Sequence, residues 1–162
     1  ANLRLVGSTG NDALDFSTAT LDGVGVIDGG NGSDTITGSA SDDRIVGGAG
    51  ADLLLGGMGA DTFAYTSFAQ SRAAGADTIG DFGPGDLIDL SAIDASTVLA
   101  GQQDFAWIDT GAFTKVAGQL RYSYDAITDR TLVEADVNGD ARTDLAIVLT
   151  GQDSLTAADF LL

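Results

Sequence analysis

The sequence predicts an all-β fold: a right-handed parallel β-roll, or β-solenoid, followed by a C-terminal antiparallel β cap with one or two short helices. Two observations predict the roll. Glycine provides 23 of the 162 residues and is clustered, and the clustered part repeats with a period of nine residues. The antiparallel cap is predicted by short segments in which apolar and polar residues alternate. We therefore expect a roll over residues 1–64 and a cap over residues 65–162.

The nine-residue repeat is strict over residues 29–64, which read GGNGSDTIT, GSASDDRIV, GGAGADLLL and GGMGADTFA. The glycine-rich half of each unit suits turns with positive φ, and the other half suits a short strand with one large side chain pointing inward. Two units then form one flattened coil, so that turns two units apart stack on the same edge. The aspartates in register are Asp34, Asp43, Asp52 and Asp61, and the inward residues are Ile36, Ile45, Leu54 and Phe63.

This stacking predicts metal sites between successive turns. Asp34 falls next to Asp52, and Asp43 falls next to Asp61. Two carboxylates and several backbone carbonyl groups form an all-oxygen cage, which suits calcium better than magnesium or a transition metal. The alternative is a glycine-rich solenoid in which the aspartates only cap turns by hydrogen bonds to the backbone.

Upstream of residue 29 the repeat is degenerate. Residues 7–15, GSTGNDALD, keep Asp12, whereas residues 20–28, TLDGVGVID, keep Gly23 but have Gly25 where an aspartate is expected. Asp12 can still face the turn that follows it on the same edge. We therefore expect two good sites and a weaker third.

Charge and composition narrow the function classes. Acidic residues outnumber basic residues 24 to 7, and the formal net charge of -17 opposes binding to nucleic acid or to an anionic membrane surface. Glu134 is the only glutamate, so almost all of this charge is aspartate, which suits tight turns and hard cations. The absence of cysteine and histidine excludes thiol and imidazole catalysis and ordinary zinc or copper sites. No apolar run approaches 18 residues. We expect a calcium-binding protein that is not an enzyme and does not insert into a membrane.

The nonapeptides resemble the RTX repeats of proteins exported by type I secretion. The remainder resembles the C-terminal region of the serralysin metalloproteases, through DTFAY, ADTIGDFGPGDLIDLSAI, AGQLRYSYD, ADVNGDARTDLAIVL and LTAADFLL, in that order. The zinc-binding HExxH helix of those proteases is absent, because the chain contains no histidine. The resemblance therefore implies a secreted, extracellular module at the C-terminal end of a larger bacterial protein, with an exporter and an upstream domain as partners.

The resemblance also implies which residues bind calcium. In RTX repeats, calcium is bound by the backbone carbonyls of positions one and three together with the aspartate of one turn. The same ion is bound from the other side by the carbonyls of positions two and four and the aspartate of the next stacked turn. Ser39 and Ser41 replace glycines of the second strict unit, where only backbone approach is required. The implied ligands are Gly29, Asn31, Asp34, Gly48, Gly50 and Asp52 at the first site, Gly38, Ala40, Asp43, Gly57, Gly59 and Asp61 at the second, and Gly7, Thr9, Asp12, Gly30 and Gly32 with Asp34 at the weaker third.

The cap is predicted from strand and helix signals. Gln119 to Tyr124 alternates apolar and polar residues, as a half-buried strand does, and residues 130–135 and 144–149 continue an antiparallel sheet. Ser91 precedes Asp94 by three residues, and Thr156 precedes Asp159 by three. This spacing is typical of a helix N-terminus, so we expect short helices there.

Two further groups of acidic residues are candidate calcium ligands. Asp77 and Asp81 follow the last strict unit, and the alternative role for them is turn capping. The second group has the oxygen spacing of positions one, three, five and nine of an EF-hand loop, although Ala141 and Ile147 replace its glycine and its final acid. The alternative is a hydrogen-bonded hairpin loop. The members of this second group are Asp136, Asn138, Asp140 and Asp144.

The stacked acidic turns predict calcium-dependent folding, and the resemblance to the RTX and serralysin families implies a role in type I secretion. The last four residues, Asp159, Phe160, Leu161 and Leu162, are similar to the uncleaved secretion signal of the family. The first coil, near Leu3, is expected to expose strand edges that allow self-association. The alternative function is calcium-dependent binding to a polysaccharide or a cell surface.

Overall fold

Two β-sheets enclose a single apolar core in the computed structural model, which describes residues 3–21, 24–152 and 154–162. Gly23, predicted to lie in a degenerate turn, is outside the described residues. A short 3₁₀ helix, Ala157–Asp159, lies between the last two strands. The strands are β1 (Leu3–Val6), β2 (Ala13–Asp15), β3 (Val24–Asn31), β4 (Thr35–Thr37), β5 (Arg44–Ala49), β6 (Leu53–Leu55), β7 (Thr62–Ala64), β8 (Asp77–Ile79), β9 (Leu87–Asp89), β10 (Ala106–Trp107), β11 (Gln119–Asp125), β12 (Arg130–Asp136), β13 (Leu145–Thr150) and β14 (Phe160–Leu161).

Successive strands of the repeat alternate between the two sheets, as expected for a solenoid. The first sheet has the order β1-β3-β5-β7-β9-β14, and all of its neighbours are parallel. The second sheet has the order β10-β11-β12-β13-β8-β6-β4-β2. Its members β2, β4, β6, β8 and β13 are parallel, and β11, β12 and β13 form an antiparallel meander. The predicted all-β fold, a parallel roll with an antiparallel cap, is confirmed.

The core is built from the large apolar residue of each repeat. In the second sheet Leu54 pairs in register with Ile36 on one side and Ile79 on the other, and all three are at most 1% exposed. Burying each such side chain contributes roughly 1.5–3 kcal/mol to the stability of the fold. Since each nine-residue unit provides one such side chain, each unit adds a similar contribution. The first sheet has an equivalent row, consisting of Ile27, Ile45, Phe63, Ile88 and Phe160.

The parallel coils continue beyond the strict repeats. β8 adds to β6 in the second sheet, and β9 adds to β7 in the first. The antiparallel meander joins the roll directly, because β13 pairs with β8. Both sheets thus run across residue 64, and the division of the chain into regions 1–64 and 65–162 stays a prediction.

One of the two predicted helices is present, and the other is not. Thr156 and Asp159 form a reciprocal capping box around the 3₁₀ helix. The prediction at Ser91 was wrong, and that segment is a series of turns. The carboxylate of Asp89 accepts both the Ser91 N–H and the Ser91 hydroxyl, at 3.0 and 2.6 Å. The Ser91 N–H is therefore not donated to Asp94, as a capping box would require, and Asp94 accepts the N–H groups of Ser96 and Gln103 instead.

The first coil ends both sheets on one side. β1 is the terminal strand of the first sheet and β2 of the second, and Leu3 and Val6 are 57% and 59% exposed. Self-association through this coil stays a prediction. Among the described residues no helix is long and apolar enough to cross a membrane.

Candidate metal sites

The aspartates of the turns stand in two columns, one on each edge of the roll. Within a column, the Oδ1 atom of each aspartate after the first accepts the backbone N–H of the aspartate one coil earlier. The bond from Asp34 to Asp52 is 2.8 Å long, and so is the bond from Asp43 to Asp61. The structure therefore brings together both predicted pairs. The columns are Asp12, Asp34, Asp52 and Asp77 on one edge, and Asp43, Asp61 and Asp86 on the other.

The other carboxylate oxygen decides whether a cation fits. Oδ2 of Asp34, Asp52 and Asp61 is buried and has no hydrogen-bond partner among the described residues, and these residues are at most 3% exposed. Leaving a charged oxygen buried and unpaired is unfavourable unless a positive charge compensates it. At the first predicted site both carboxylates have such an oxygen, so the donor set fits a hard cation.

Glycine allows the backbones of stacked turns to approach each other. A Cβ atom on Gly29 would overlap Oδ2 of Asp34 and the carbonyl oxygen of Gly47. Gly48 has a φ of +107°, and a Cβ there would overlap the backbone of Gly30. Backbone carbonyls and carboxylates of adjacent turns are thereby held together. The described residues contain no group of three or more acidic side chains suited to a metal, so each predicted site would need backbone carbonyls to complete its ligands.

Two turns differ from the rest. In the turn of residues 38–43, Oδ2 of Asp43 accepts the Ser39 N–H at 2.6 Å and the Ser39 hydroxyl at 2.9 Å. In the turn of residues 7–12, Ser8 donates to Asp12 at the same two distances. Ser39 thus does more than allow backbone approach, which is all that the sequence suggested. We call these two turns closed, and we call the turns 29–34, 47–52 and 56–61, whose Oδ2 atoms lack a partner, open.

Beyond the strict repeats the columns end in Asp77 and Asp86. Asp77 Oδ1 accepts the Asp52 N–H at 3.0 Å, whereas Asp81 caps the preceding coil by accepting the N–H groups of Gly56 and Gly57 at 2.9 and 3.0 Å. Asp86 accepts the Asp61 N–H at 2.9 Å and was missed in the sequence. The available signal was its nine-residue spacing from Asp77, since an isoleucine follows each of the two by two positions, as in the strict units.

Burial also changes the acidity of these carboxyl groups. Burial, with the nearby charges of Asp86, Asp43 and Asp81, raises the pKa of Asp61 to about 6. Burial, with the charge of Asp52, raises the pKa of Asp77 to about 7. The pKa of Asp52 is raised for the same reasons, burial first and then the charge of Asp34. The columns therefore favour any positive charge, proton or cation, that neutralises them.

Hydrogen bonds within the loop between β12 and β13 fix its conformation. The Asp136 carboxylate accepts the N–H groups of Gly139 and Ala141 at 2.7 and 2.8 Å. Asn138 Oδ1 accepts the Asp140 N–H at 2.9 Å, and Asp144 accepts the Val137 N–H at 2.9 Å. This is the geometry of a hydrogen-bonded hairpin loop, and calcium binding by Asp136, Asn138, Asp140 and Asp144 stays a prediction.

The predicted secretion residues are part of the fold. Asp159 accepts the Thr156 N–H at 2.6 Å, and the buried ring of Phe160 lies 4.9 Å from that of Trp107, centroid to centroid. The carbonyl of Leu161 accepts the Leu90 N–H at 2.8 Å, and Leu162 packs against the core.

Glycine-rich turns that stack their aspartates in two columns along parallel coils define a β-roll built from nonapeptide repeats. The chain belongs to the family described as Peptidase M10 serralysin C terminal, whose model matches residues 3–162. The resemblance predicted from the sequence is confirmed. This family is the non-catalytic C-terminal part of serralysin-type proteins.

Individual relatives agree with this assignment. The metalloprotease AprA of Pseudomonas entomophila (strain L48) is 38% identical over 96 residues, which cover 59% of this chain and 19% of that protein. The match thus spans only about a fifth of the curated relative.

Two solved structures of mannuronan C5-epimerase subunits from Azotobacter vinelandii have the same fold. AlgE6R2 is 33% identical with a TM-score of 0.68, covering 98% of this chain and 92% of that one. AlgE6R3 is 30% identical with a TM-score of 0.65, covering 96% and 80%.

Proposed function

We propose that this chain is a calcium-dependent folding module that supports type I secretion of a larger extracellular protein. The observation that carries the proposal is the pair of buried, unpartnered Oδ2 atoms of Asp34 and Asp52 on adjacent open turns. The residues assigned to the first site are those that the RTX resemblance implies.

The chain's own charges make folding depend on the cation. The folded roll holds the carboxylates of each column against one another, within a chain of formal charge -17. Calcium bound between two turns would neutralise these carboxylates, and backbone carbonyl oxygens of the same turns would complete its ligands. A ligand that binds only the folded state at a hundredfold excess over Kd adds about 2.7 kcal/mol of stability per site. Extracellular calcium sites have Kd values of ~0.1–1 mM. They are therefore empty at the low calcium concentration of the cytosol and filled outside the cell.

This calcium dependence suits export. An unfolded chain can pass a narrow exporter, and folding outside the cell then opposes its return. Asp159, Phe160, Leu161 and Leu162 would be read by the exporter while the chain is unfolded. In the folded chain Phe160 is buried and Phe160–Leu161 forms the last strand of the first sheet. The folded module would also template the domain upstream of it.

Far-UV circular dichroism during a calcium titration tests the folding proposal, with magnesium as the ion control. We expect a cooperative transition from coil to β structure that is specific for calcium. Asp34→Asn should move the midpoint to higher calcium, because it weakens a site carboxylate. Asp104→Asn removes an exposed carboxylate of the cap and should leave the midpoint unchanged. A β spectrum in chelator that calcium does not alter would contradict the proposal.

Secretion needs a separate test, because it concerns the unfolded chain. A chain ending at Ala158 should be exported poorly by a type I system. Calcium-induced folding of the same truncated chain, measured in solution, distinguishes lost export from lost folding. Undiminished export would contradict the assignment of the last four residues.

A second candidate function is calcium-dependent polysaccharide binding. An open groove of about 820 Å³ crosses the outer face of β1, β3 and β5, and Arg4 and Arg44 line it. Arg44 pairs with Asp89 at 2.6 Å, and Arg4 pairs with Asp28. The two solved relatives are subunits of an enzyme that acts on mannuronan. Binding of mannuronan oligosaccharides at low salt and saturating calcium, weakened by Arg44→Gln, would support this function, and no binding under these conditions would reject it.

A further inference from the structure

The residue at the second position of each turn separates open turns from closed turns. All three open turns have glycine there, with φ between +99° and +107°. Both closed turns have serine there, and neither serine adopts a positive φ. The glycines are Gly30, Gly48 and Gly57, and the serines are Ser8 and Ser39.

The sign of this φ sets the direction of a peptide plane. Type I and type II turns differ mainly by turning over the peptide that precedes the residue with positive φ. In the closed turn the Ser39 N–H points at Oδ2 of Asp43, so the Gly38 carbonyl, on the opposite side of the same planar peptide, points away from it. In the open turn 56–61 the Gly57 N–H points to Asp81 on the next coil and not to Asp61.

We propose that Ser39 makes the second predicted calcium site weaker than the first. The Ser39 N–H and hydroxyl occupy the oxygen of Asp43 that a cation would take, so binding there must first break both bonds. The first site lies between two open turns, 29–34 and 47–52, and has no such competitor. This inference rests on the proposed function, because it assumes that the columns bind calcium.

The same arrangement occurs twice, in two independent parts of the chain. Ser8 makes the two bonds to Asp12, and its hydroxyl accepts the Gly10 N–H at 3.2 Å. The hydroxyl of Ser39 accepts the Ser41 N–H at 3.2 Å. GSTGND and GSASDD therefore adopt one local structure, and the weaker third site at Asp12 carries the same competitor. Calcium would fill the Asp34–Asp52 site first.

Calorimetric titration of the full 162-residue chain with calcium tests this order. We expect the wild type to show one tight class and a weaker class. Ser39→Ala removes only the hydroxyl and should tighten the weaker class modestly. Ser39→Gly combined with Ser41→Gly also frees the backbone for positive φ. It should tighten the second site by about tenfold, as expected for loss of competing hydrogen bonds to a charged group, while the Asp12 site, which keeps Ser8, stays in the weaker class.

A matched control comes from the open turn of the preceding unit, on the other edge of the roll. Ser33 lies at the fifth position of its unit, where alanine occurs in two other strict units, so Ser33→Ala should leave both classes unchanged. The NMR signal of the Ser39 amide gives a second readout, since its hydrogen bond to Asp43 should break only as the weaker class fills.

Different failures identify different errors. Equal affinities at both sites of the wild type, or an unchanged weaker class in the double-glycine variant, would overturn the role of Ser39. Weaker binding in Ser39→Ala would also overturn it, because the hydroxyl would then be a calcium ligand. Absence of calcium binding in the wild type and in every variant would overturn the proposed function itself.

Discussion

At the residue scale, the properties of the turns depend on single carboxylate oxygens. Asp34, Asp52 and Asp61 each use one oxygen to hold the neighbouring coil and leave the other unpartnered in a buried position. Asp43 has the same place in its unit, but its Oδ2 atom accepts both the N–H and the hydroxyl of Ser39. Equivalent repeat positions are therefore not chemically equivalent.

The raised pKa values predict that acid favours the calcium-free fold. The carboxyl pKa is 3.8 in the unfolded chain, and in the folded chain it is about 6 at Asp61 and about 7 at Asp77. The folded state therefore binds more protons between these limits, and this stabilisation is complete below pH 3.8 and lost as pH rises through 7. Without calcium, the β signal in circular dichroism should increase from pH 7.5 to about 4.5.

Asp77→Asn is the control for this pH dependence. It removes the group with the higher pKa, so the part of the transition near pH 7 should be reduced. Asp89, whose pKa is lowered because bonds from Ser91 and Arg44 outweigh its burial, makes the opposite contribution, but only in more acidic solution. A β signal that rises with pH between 4.5 and 7.5 without calcium would contradict the prediction.

At the element scale, each short strand is stabilised by its neighbours in the stack. β4, β6 and β8 have only three residues each, and none buries a core alone. Their stability comes from the apolar row that crosses them and from backbone hydrogen bonds between coils. The Leu53 N–H donates to the Asp34 carbonyl and the Thr78 N–H to the Asp52 carbonyl, both at 2.8 Å.

Adjacent leucines in β6 provide a test of this row. Leu54 is 1% exposed and Leu53 is 39% exposed. Leu54→Ala should reduce the free energy of unfolding in saturating calcium by about 2–5 kcal/mol, because it leaves a cavity between two coils. Leu53→Ala should cost clearly less. Urea unfolding measures both, and equal losses would show that the row does not stabilise the roll.

At the scale of the whole molecule, the C-terminal segment closes the first sheet. β14 pairs with β9, so the last strand of the chain forms the end of the parallel stack. Phe160 continues the apolar row and contacts Trp107 of the cap. The end of the chain thus joins the roll to the cap.

Phe160→Ala should therefore destabilise the molecule far more than the same substitution at the neighbouring residue, Leu161. We expect a loss of about 3–5 kcal/mol for this buried ring in saturating calcium. Leu161→Ala is the control, because Leu161 is 42% exposed. Trp107 is the only tryptophan, so its fluorescence during urea unfolding reports on this contact directly. Similar midpoints for the two variants would contradict the role of β14.

The sequence by itself determined the parallel coil, the inward apolar residue of each unit and the pairing of Asp34 with Asp52. A short period makes each unit contact only its stacked neighbours, so register follows from counting residues. Only the tertiary structure decided which aspartate oxygens are free, the turn at Ser91 and the place of β14. Each of these depends on competition between hydrogen-bond donors or on contacts between segments distant in the chain, which a periodic pattern does not specify.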